Sequence, residues 1–319
     1  MECRICSSKE VKAKHTGKDV WNSSNVTFEY SECANCGLIQ IDDYPANLDF
    51  YYSNDEYYSF VNKKEFLNGG SLKEMLVRFR DKFSLSNFGV IGRILFLFHP
   101  TNVYNILSHV QISKTSSIID IGCGDGEFVK RLVSLGYKNA CGTDPFLKEE
   151  VLLKGGQKIS NKSIHEVKGQ FDIVCLRNSL EHMPNQLDVL LSAKNLVKDT
   201  GRIVIRIPIV PSLVWHKYGT NWVQFDAPRH LYLHTRESVK ILVKKAGLRC
   251  ENIQCDSEAF QFIGSEQLKK GIVLNDERSW IRSREKSIFS DKDVKFFRRQ
   301  AKKLNRSGEG DVVVITLKK

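Results

Sequence analysis

The sequence predicts an α/β protein built on a doubly wound, mostly parallel sheet. From residue 117 onward, short apolar runs of strand length alternate with segments of helical apolar spacing. Such alternation is typical of parallel strands that are covered by helices on both faces. The first apolar run also ends in a glycine-rich turn that leads directly into a helix, which is where folds of this class bind nucleotide-like ligands.

The predicted elements follow one another in a regular order. Strands are expected at residues 117–121, 139–143, 171–176, 202–207, 248–255 and 311–317. Helices are expected at residues 127–135, 187–196, 237–246 and 291–304, where apolar residues recur three or four positions apart. The last helix is separated from the last strand by Gly308, Glu309 and Gly310.

The composition is that of an ordinary globular chain. Of 319 residues, 41% are hydrophobic and 27% are charged, which excludes disordered, collagen-like and disulfide-scaffold classes. The first residues lack the pattern of a secretory signal, and no apolar segment reaches the ~20 residues that span a bilayer. We therefore expect a soluble, cytoplasmic protein without a transmembrane segment.

The formal net charge is +11, and basic residues concentrate after residue 265. We expect this basic carboxyl-terminal part to be a solvated helix face. Nucleic acid, a phosphorylated substrate or a membrane surface are the alternative partners, because charge alone does not select among them.

Four of the nine cysteines form two closely spaced pairs near the amino terminus. Two residues separate Cys3 from Cys6, and two separate Cys33 from Cys36. Two such pairs supply the four thiolates of a tetrahedral zinc site, whereas the alternative is four unrelated buried thiols. A site with four protein ligands has no open position, so the predicted Zn²⁺ is structural. We expect a small zinc-binding ribbon over residues 1–48.

Residues 49–112 are expected to connect this ribbon to the main domain, residues 113–319. The connector begins with a tyrosine-rich stretch and continues with helical apolar spacing, which we expect to be buried as a cover on the main domain. Tyr57 and Tyr58 are candidates to close over a cationic ligand, because aromatic faces attract cations. Packing in a lid is the alternative role.

The turn after the first strand of the main domain carries the strongest functional signal. Residues 120–126 read Asp-Ile-Gly-Cys-Gly-Asp-Gly, with glycines at alternate positions. Glycines let a ligand lie against bare backbone. The spacing differs from that of dinucleotide-binding loops and P-loops, and the neighbouring carboxylates would repel a diphosphate but tolerate a sulfonium cation.

A second acidic residue is expected at the end of the next strand, where a carboxylate can accept hydrogen bonds from ribose hydroxyls. Asp144 lies at that position and is followed by Pro145. The glycine turn or the acidic residue alone could be structural. Because both occur in this order, the sequence predicts a ligand that contains a nucleoside.

These motifs resemble those of class I S-adenosylmethionine-dependent methyltransferases. The resemblance extends over residues 117–319 and includes segment 171–184, which ends in Leu-Glu-His-Met-Pro. It implies a Rossmann-like sheet of seven strands in the order 3-2-1-4-5-7-6, and S-adenosylmethionine as the cofactor. The candidate cofactor-binding residues are Asp120, Gly122, Gly124, Asp144, Pro145, Asn178 and Tyr58.

The outer segments are similar to those of bacterial methyltransferases that modify sugars and other small metabolites. Residues 33–40, with their second cysteine pair, resemble the zinc-binding region of those enzymes, and residues 222–231 resemble a stretch beyond their fifth strand. The resemblance implies a small-molecule or saccharide substrate, such as a nucleotide sugar.

Two histidines are candidate catalytic bases. A sugar hydroxyl is a poor nucleophile at neutral pH, and histidine is well suited to take its proton. His182 and His230 both follow strands at the carboxyl edge of the sheet, although either could instead have a structural role. Arg229 could pair with an acidic group of the substrate or with an internal carboxylate.

The leading hypothesis is therefore O-methylation of a sugar hydroxyl with His230 as the base. Deoxysugar C-methyltransferases of the resembling group have Tyr-His-Glu-His where this chain has residues 227–230, so C-methylation is disfavoured. An RNA methyltransferase is a second alternative, because a zinc ribbon and a basic tail would also serve RNA. A non-enzymatic zinc-ribbon interaction module is the third. The oligomeric state is not determined by the sequence.

Overall fold

The computed structural model describes residues 2–23, 26–46, 48–51, 72–86, 89–99, 101, 103–153 and 155–319. The strands in these ranges are β1 Val11–Lys18, β2 Thr27–Cys33, β3 Ile39–Ile41, β4 Ile118–Ile121, β5 Ala140–Thr143, β6 Val151–Leu152, β7 Lys158–Ser160, β8 Phe171–Arg177, β9 Val197–Pro208, β10 Tyr232–Leu233, β11 Arg249–Cys255 and β12 Val312–Lys318. The α-helices are α1 Leu72–Ser86, α2 Val90–Phe98, α3 Glu127–Ser134, α4 Gln186–Leu196, α5 Leu213–Tyr218, α6 Arg236–Lys245, α7 Phe260–Lys269 and α8 Asp291–Ser307.

The larger sheet has eight strands in the order β11-β12-β9-β8-β4-β5-β7-β6. The five strands from β9 to β7 run parallel to one another. Strand β12 is antiparallel to both of its neighbours, and β6 is antiparallel to β7. The predicted α/β fold with a mostly parallel sheet is confirmed. The sheet has eight strands and not seven, because the two-residue strand β6 adds an edge.

A second sheet joins the amino-terminal region to the main domain. Its strand order is β1-β2-β3-β10. The first three strands lie near the amino terminus, whereas β10 comes from the main domain. Tyr232 pairs with Gln40, and Leu233 pairs with Ile39. Buried Tyr30 and Ile41 lie in the same hydrophobic core as strands β8 and β9. The amino-terminal strands therefore share both a sheet and a core with the remainder of the chain.

Helices α1 and α2 lie in the segment that we expected to cover the main domain, and Asp81 of α1 pairs with Arg131 of α3 at 3.2 Å. The two helices pack closely against each other at Gly92, where an added Cβ would lie 2.3 Å from the carbonyl oxygen of Phe79. The outer side chains of α2 are not buried against the main domain, since Val90, Leu97 and Phe98 are each more than 70% exposed. No helix in the described part of the chain is both long enough and apolar enough to cross a membrane.

Replacement of Ile315 by alanine tests the central position of β12. Ile315 is 1% exposed and lies between β9 and β11. We expect Ile315→Ala to lower the free energy of unfolding by about 2–4 kcal/mol, because the lost atoms leave a cavity. Leu152→Ala is the control, because Leu152 is 75% exposed on the edge strand β6. Equal losses in urea denaturation would contradict the central placement of β12.

Candidate cofactor and acceptor sites

The glycine turn between β4 and α3 exposes its backbone at the carboxyl edge of the sheet. Gly122, Gly124 and Gly126 have φ angles of 70°, 56° and 77°, which residues with side chains rarely adopt. A Cβ at Gly122 would lie 2.6 Å from Cβ of Ser179, and one at Gly126 would lie 2.0 Å from Cδ1 of Ile159. Both backbone conformation and close packing therefore require glycine here.

Asp144 follows β5 and is fixed against this turn. One carboxylate oxygen accepts a hydrogen bond from the amide of Gly124 at 2.9 Å, and the other accepts one from the amide of Phe146 at 3.0 Å. Burial raises the pKa of Asp144 above its usual value. Each carboxylate oxygen can accept a further hydrogen bond, so the residue is prepared to bind vicinal hydroxyls.

A cavity of about 460 Å³ lies over the glycine turn. Its size and its mixed apolar and polar lining suit a small organic cofactor. Five of the predicted cofactor-binding residues line it, namely Gly122, Gly124, Asp144, Pro145 and Asn178. The structure therefore brings most of the predicted cofactor site together. We refer to this space as the cofactor cavity.

Among the described cofactor-binding candidates, Asp120 does not line this cavity. Asp120 is 1% exposed, and one carboxylate oxygen lies 3.6 Å from Nη1 of Arg177. Burial raises the pKa of Asp120 to about 6, although Arg177 opposes this shift. Asp120 lies within strand β4, directly below the glycine turn. Tyr58 lies outside the described residues.

A second cavity, of about 440 Å³, adjoins the first. Asn178 and His182 line both, so the two cavities meet at these residues. The remaining walls of the second cavity combine aromatic rings with charged and amide groups. They include Trp21, Phe260, Trp280, Gln224, Gln261, Asp226, Glu258, Asp311, Arg206 and Arg282. Such a lining suits a polar organic molecule, and we call this space the acceptor cavity.

Asn178 is held firmly at the junction. Its φ angle is 50°, a left-handed conformation in which asparagine is enriched. Its side-chain oxygen accepts a hydrogen bond from Arg206 at 2.6 Å, and Asp256 in turn accepts one from Arg206 at 2.7 Å. These bonds fix the amide group of Asn178 relative to both cavities.

The two candidate catalytic histidines lie in contact: His182 lines both cavities, and His230 lines the acceptor cavity. The ring centroids of His182 and His230 are 4.6 Å apart in an edge-to-face arrangement. Nδ1 of His182 donates a hydrogen bond to the carbonyl of Arg229 at 2.9 Å, and Nδ1 of His230 donates one to the carbonyl of Gln224 at 2.7 Å. Because Nδ1 carries the proton, Nε2 of each neutral ring can accept one.

Burial makes both imidazoles neutral at pH 7. It lowers the pKa of His182 to about 3, with a further contribution from neighbouring His230. It also lowers the pKa of His230 to about 3. Asp226 lies 3.9 Å from Nε2 of His230, so a proton taken up there would have a carboxylate nearby.

Glu181 is a site residue that the sequence analysis missed. It is 1% exposed, and neither carboxylate oxygen has a hydrogen-bond partner among the described residues. Burial raises the pKa of Glu181 to about 8. A carboxylate oxygen of Glu181 and ring nitrogens of His182 and His230 all lie within 4.8 Å of one another. The sequence does contain a signal for this residue, because Glu181 directly precedes the candidate histidine His182 after a strand end.

Arg229 pairs with internal carboxylates. It is 1% exposed, and its guanidinium donates to Asp19 and, at 3.0 Å, to Asp226. Of the two alternatives for this arginine, internal pairing is the one observed. Arg229 is absent from the residues that line either cavity.

The four amino-terminal cysteines lie together with the geometry of a metal site. The sulfur atoms of Cys3 and Cys36 are 3.6 Å apart, and those of Cys6 and Cys33 are 3.5 Å apart. None of the four forms a disulfide. Tetrahedral zinc with bonds of about 2.3 Å requires sulfur–sulfur distances of about 3.8 Å, so these thiols fit Zn²⁺ with small shifts.

We expect Asp144→Asn to weaken binding of S-adenosylhomocysteine by about 10- to 100-fold, because hydrogen bonds to a charged group are lost. Isothermal titration calorimetry measures this affinity. Asp199→Asn is the control, because the side chain of Asp199 is 93% exposed and lies on β9, away from the cavity. Unchanged affinity in a folded Asp144→Asn protein would remove Asp144 from the cofactor site.

The purified protein is expected to contain one zinc ion per chain, measured by elemental analysis. Cys33→Ser and Cys36→Ser each remove one of four thiolates and should lose most of the metal. Cys250→Ser should retain it, because Cys250 is exposed and separate from the cluster. Full zinc content in the Cys36→Ser protein would argue against the four-thiolate site.

Comparisons with known proteins agree with this geometry. Residues 97–253 match the family model described as a methyltransferase domain. The chain is 26% identical over 189 residues to a tRNA U34 carboxymethyltransferase of Actinobacillus succinogenes, covering 54% of this chain and 56% of that protein. It is 31% identical over 101 residues to a ubiquinone biosynthesis O-methyltransferase of Dechloromonas aromatica, covering 28% and 42%. The chain thus spans about half the length of the curated relatives it matches.

Among solved structures, the cyclopropane synthase MmaA2 from Mycobacterium tuberculosis superimposes with a TM-score of 0.44 and 17% sequence identity, covering 68% of this chain and 83% of that one. This similarity is too low to indicate a function. The family match and the motifs agree with each other, and the predicted resemblance to class I S-adenosylmethionine-dependent methyltransferases is confirmed. The chain therefore carries a class I S-adenosylmethionine-dependent methyltransferase domain.

Proposed function

We propose that the protein transfers a methyl group from S-adenosylmethionine to a hydroxyl of a sugar, nucleotide sugar or saccharide, including precursors of surface polysaccharides. One observation carries the proposal: the cofactor cavity and the acceptor cavity meet at Asn178 and His182. S-adenosylmethionine supplies an activated methyl group, so the protein mainly has to align the acceptor and remove its proton.

In this proposal His230 is the base. Its Nδ1–H is engaged by the carbonyl of Gln224, which leaves Nε2 to accept the proton of the hydroxyl. Asp226, 3.9 Å away, would favour the resulting imidazolium. His182 lines both cavities and would orient the acceptor at the point where they meet.

The acceptor cavity supports a saccharide as the acceptor. Trp21 and Trp280 offer flat apolar faces for a sugar ring, and Glu258 with Gln261 offers hydrogen-bond acceptors and donors for hydroxyls. Arg282 also lines this cavity, and its guanidinium suits the phosphate of a nucleotide sugar.

Each of two other functions is favoured by a specific observation. C-methylation of a deoxysugar is favoured by Glu181. This residue lies beside both histidines and supplies a carboxylate, which residues 227–230 lack. RNA methylation is favoured by the relative named as a tRNA carboxymethyltransferase and by the cationic side of α8. Along that helix the basic residues include Lys292, Lys295, Arg299, Lys302 and Arg306.

Incubation with methyl-labelled S-adenosylmethionine distinguishes these functions. The acceptor panels are nucleotide sugars, deoxysugar nucleotides and bulk tRNA, and nuclear magnetic resonance then locates the labelled atom. We expect label on a sugar oxygen. Label on a sugar carbon would replace O-methylation by C-methylation, and label in tRNA alone would overturn the saccharide proposal.

His230→Ala should lower kcat by about 10²-fold or more, because the proton acceptor is lost. Affinity for S-adenosylhomocysteine should stay within a few-fold of the wild type. His216→Ala is the matched control, since His216 is exposed on α5. Retention of full turnover in His230→Ala would remove His230 from the mechanism.

The assay is run with and without EDTA, because two imidazoles and a carboxylate are also a ligand set for divalent metals. The proposed base requires no metal at His230, so turnover should not change under EDTA treatment that leaves the zinc content constant. A loss of turnover that added Mg²⁺ or Mn²⁺ restores would assign Glu181, His182 and His230 to a metal ion instead.

A further inference from the structure

The segment that carries His230 is irregular but buried. We call residues 226–231 the His230 loop; they lie between a short 3-10 helix that ends at Phe225 and strand β10. Ala227, Arg229, His230 and Leu231 are each at most 4% exposed. Irregular backbone that is shielded from water needs partners for its polar groups, because an unpaired buried group is costly.

The amino-terminal unit, residues 2–23 and 26–46, supplies several of these partners. The hydroxyl of Tyr30 donates a hydrogen bond to the carbonyl of His230 at 2.9 Å. The amide of Ile41 donates one to the carbonyl of Leu231 at 3.0 Å. At the other end of the loop, Asp19 forms a β-bridge with Ala227. The amino-terminal unit therefore holds the loop at both ends.

A buried ion pair strengthens this attachment. The side chains of Asp19 and Arg229 are 3% and 1% exposed, and Arg229 donates hydrogen bonds to both Asp19 and Asp226. Removing one carboxylate from a buried guanidinium leaves its charge poorly compensated. Asp226 would then be drawn more strongly to Arg229. Because Asp226 is 3.9 Å from Nε2 of His230, the environment of the base would change.

The four cysteines are close in sequence to these contacts. Strand β2 carries Tyr30 and ends at Cys33. The carbonyl of Cys36 accepts a hydrogen bond from the hydroxyl of Thr235, the residue that caps α6 just beyond the His230 loop. These contacts connect the cysteine-bearing turns to the His230 loop, so a change in the conformation of the turns would affect the loop.

We propose that Asp19 and Tyr30 are positioning residues that hold His230 beside His182 at the edge of the acceptor cavity, and that the four-cysteine unit influences methyl transfer through the strand that carries Tyr30. The inference rests on the proposed function, because it concerns the geometry of the proposed base. Neither positioning residue is a predicted ligand of the cofactor or of zinc. In this view the amino-terminal unit is part of the active site's support and not a separate binding module.

Tyr30→Phe and Asp19→Asn test the proposal in the full-length chain. Tyr30→Phe removes one hydroxyl and should lower kcat about 10-fold, whereas Asp19→Asn should lower it about 10²-fold, because small misplacements of a catalytic group are costly. The affinity for S-adenosylhomocysteine should stay within about 3-fold, since the cofactor cavity is built from other residues. Hydrogen exchange of the amides in residues 226–231 should become faster in both variants.

Lys12→Ala is the matched control. Lys12 lies on the same hairpin and pairs with Glu32 at 2.6 Å, but its side chain is 66% exposed, so its loss should change neither kcat nor loop exchange. Wild-type kcat and loop exchange in both test variants would overturn the inference. Parallel losses of kcat, cofactor affinity and melting temperature would also overturn it, because they indicate general destabilisation.

The two proposals fail in different ways. If the wild-type protein methylates no acceptor in any panel, the proposed function fails, and hydrogen exchange still measures whether Asp19 and Tyr30 order the His230 loop. If the wild type is active but both variants are also fully active with an unchanged loop, only the positioning role fails. Tyr30→Phe is nearly isosteric, so it keeps the test possible if Asp19→Asn does not fold.

Discussion

The close approach of the glycine turn to the loop after β8 is the constraint on which the rest of the site depends. Gly122 has no Cβ, so Ser179 can pack against it, and the Ser179 hydroxyl donates a hydrogen bond to the carbonyl of Ile121 at 2.8 Å. This contact brings the segment that carries Asn178 and His182 next to the bare backbone of the turn. A side chain at position 122 would push the glycine turn away from the segment that carries Asn178 and His182.

Burial then determines the chemistry of the ionisable groups near this contact. Removal from water disfavours charge, which keeps the imidazoles of His182 and His230 neutral and raises the pKa of Glu181 to about 8. The carbonyls that accept from both Nδ1 atoms select one tautomer for each ring. The site therefore presents proton acceptors in a buried region. A proton transferred there would interact strongly with the neighbouring polar groups, because the local dielectric constant is low.

The amino-terminal region is integrated into the fold and not merely tethered to it. A metal site in a small hairpin usually contributes to folding, because the bound metal orders chain segments that have little core of their own. Here strand β3 of the same region also pairs with β10, and Asp19, which follows β1, supplies a buried carboxylate to Arg229. Ordering of the cysteine turns would therefore be transmitted to a loop of the main domain through hydrogen bonds and an ion pair.

The sequence by itself determined the alternating strands and helices, the glycine turn, Asp144 and the two cysteine pairs, because each of these signals lies within a short stretch or at a fixed spacing. It did not predict β6, β10 or α5, which have two to six residues and no measurable periodicity. Only the tertiary structure decided that Glu181 joins the two histidines and that Arg229 pairs with Asp19, 210 positions away. Such contacts depend on which buried charges must be compensated once the chain is packed, and no local pattern records that.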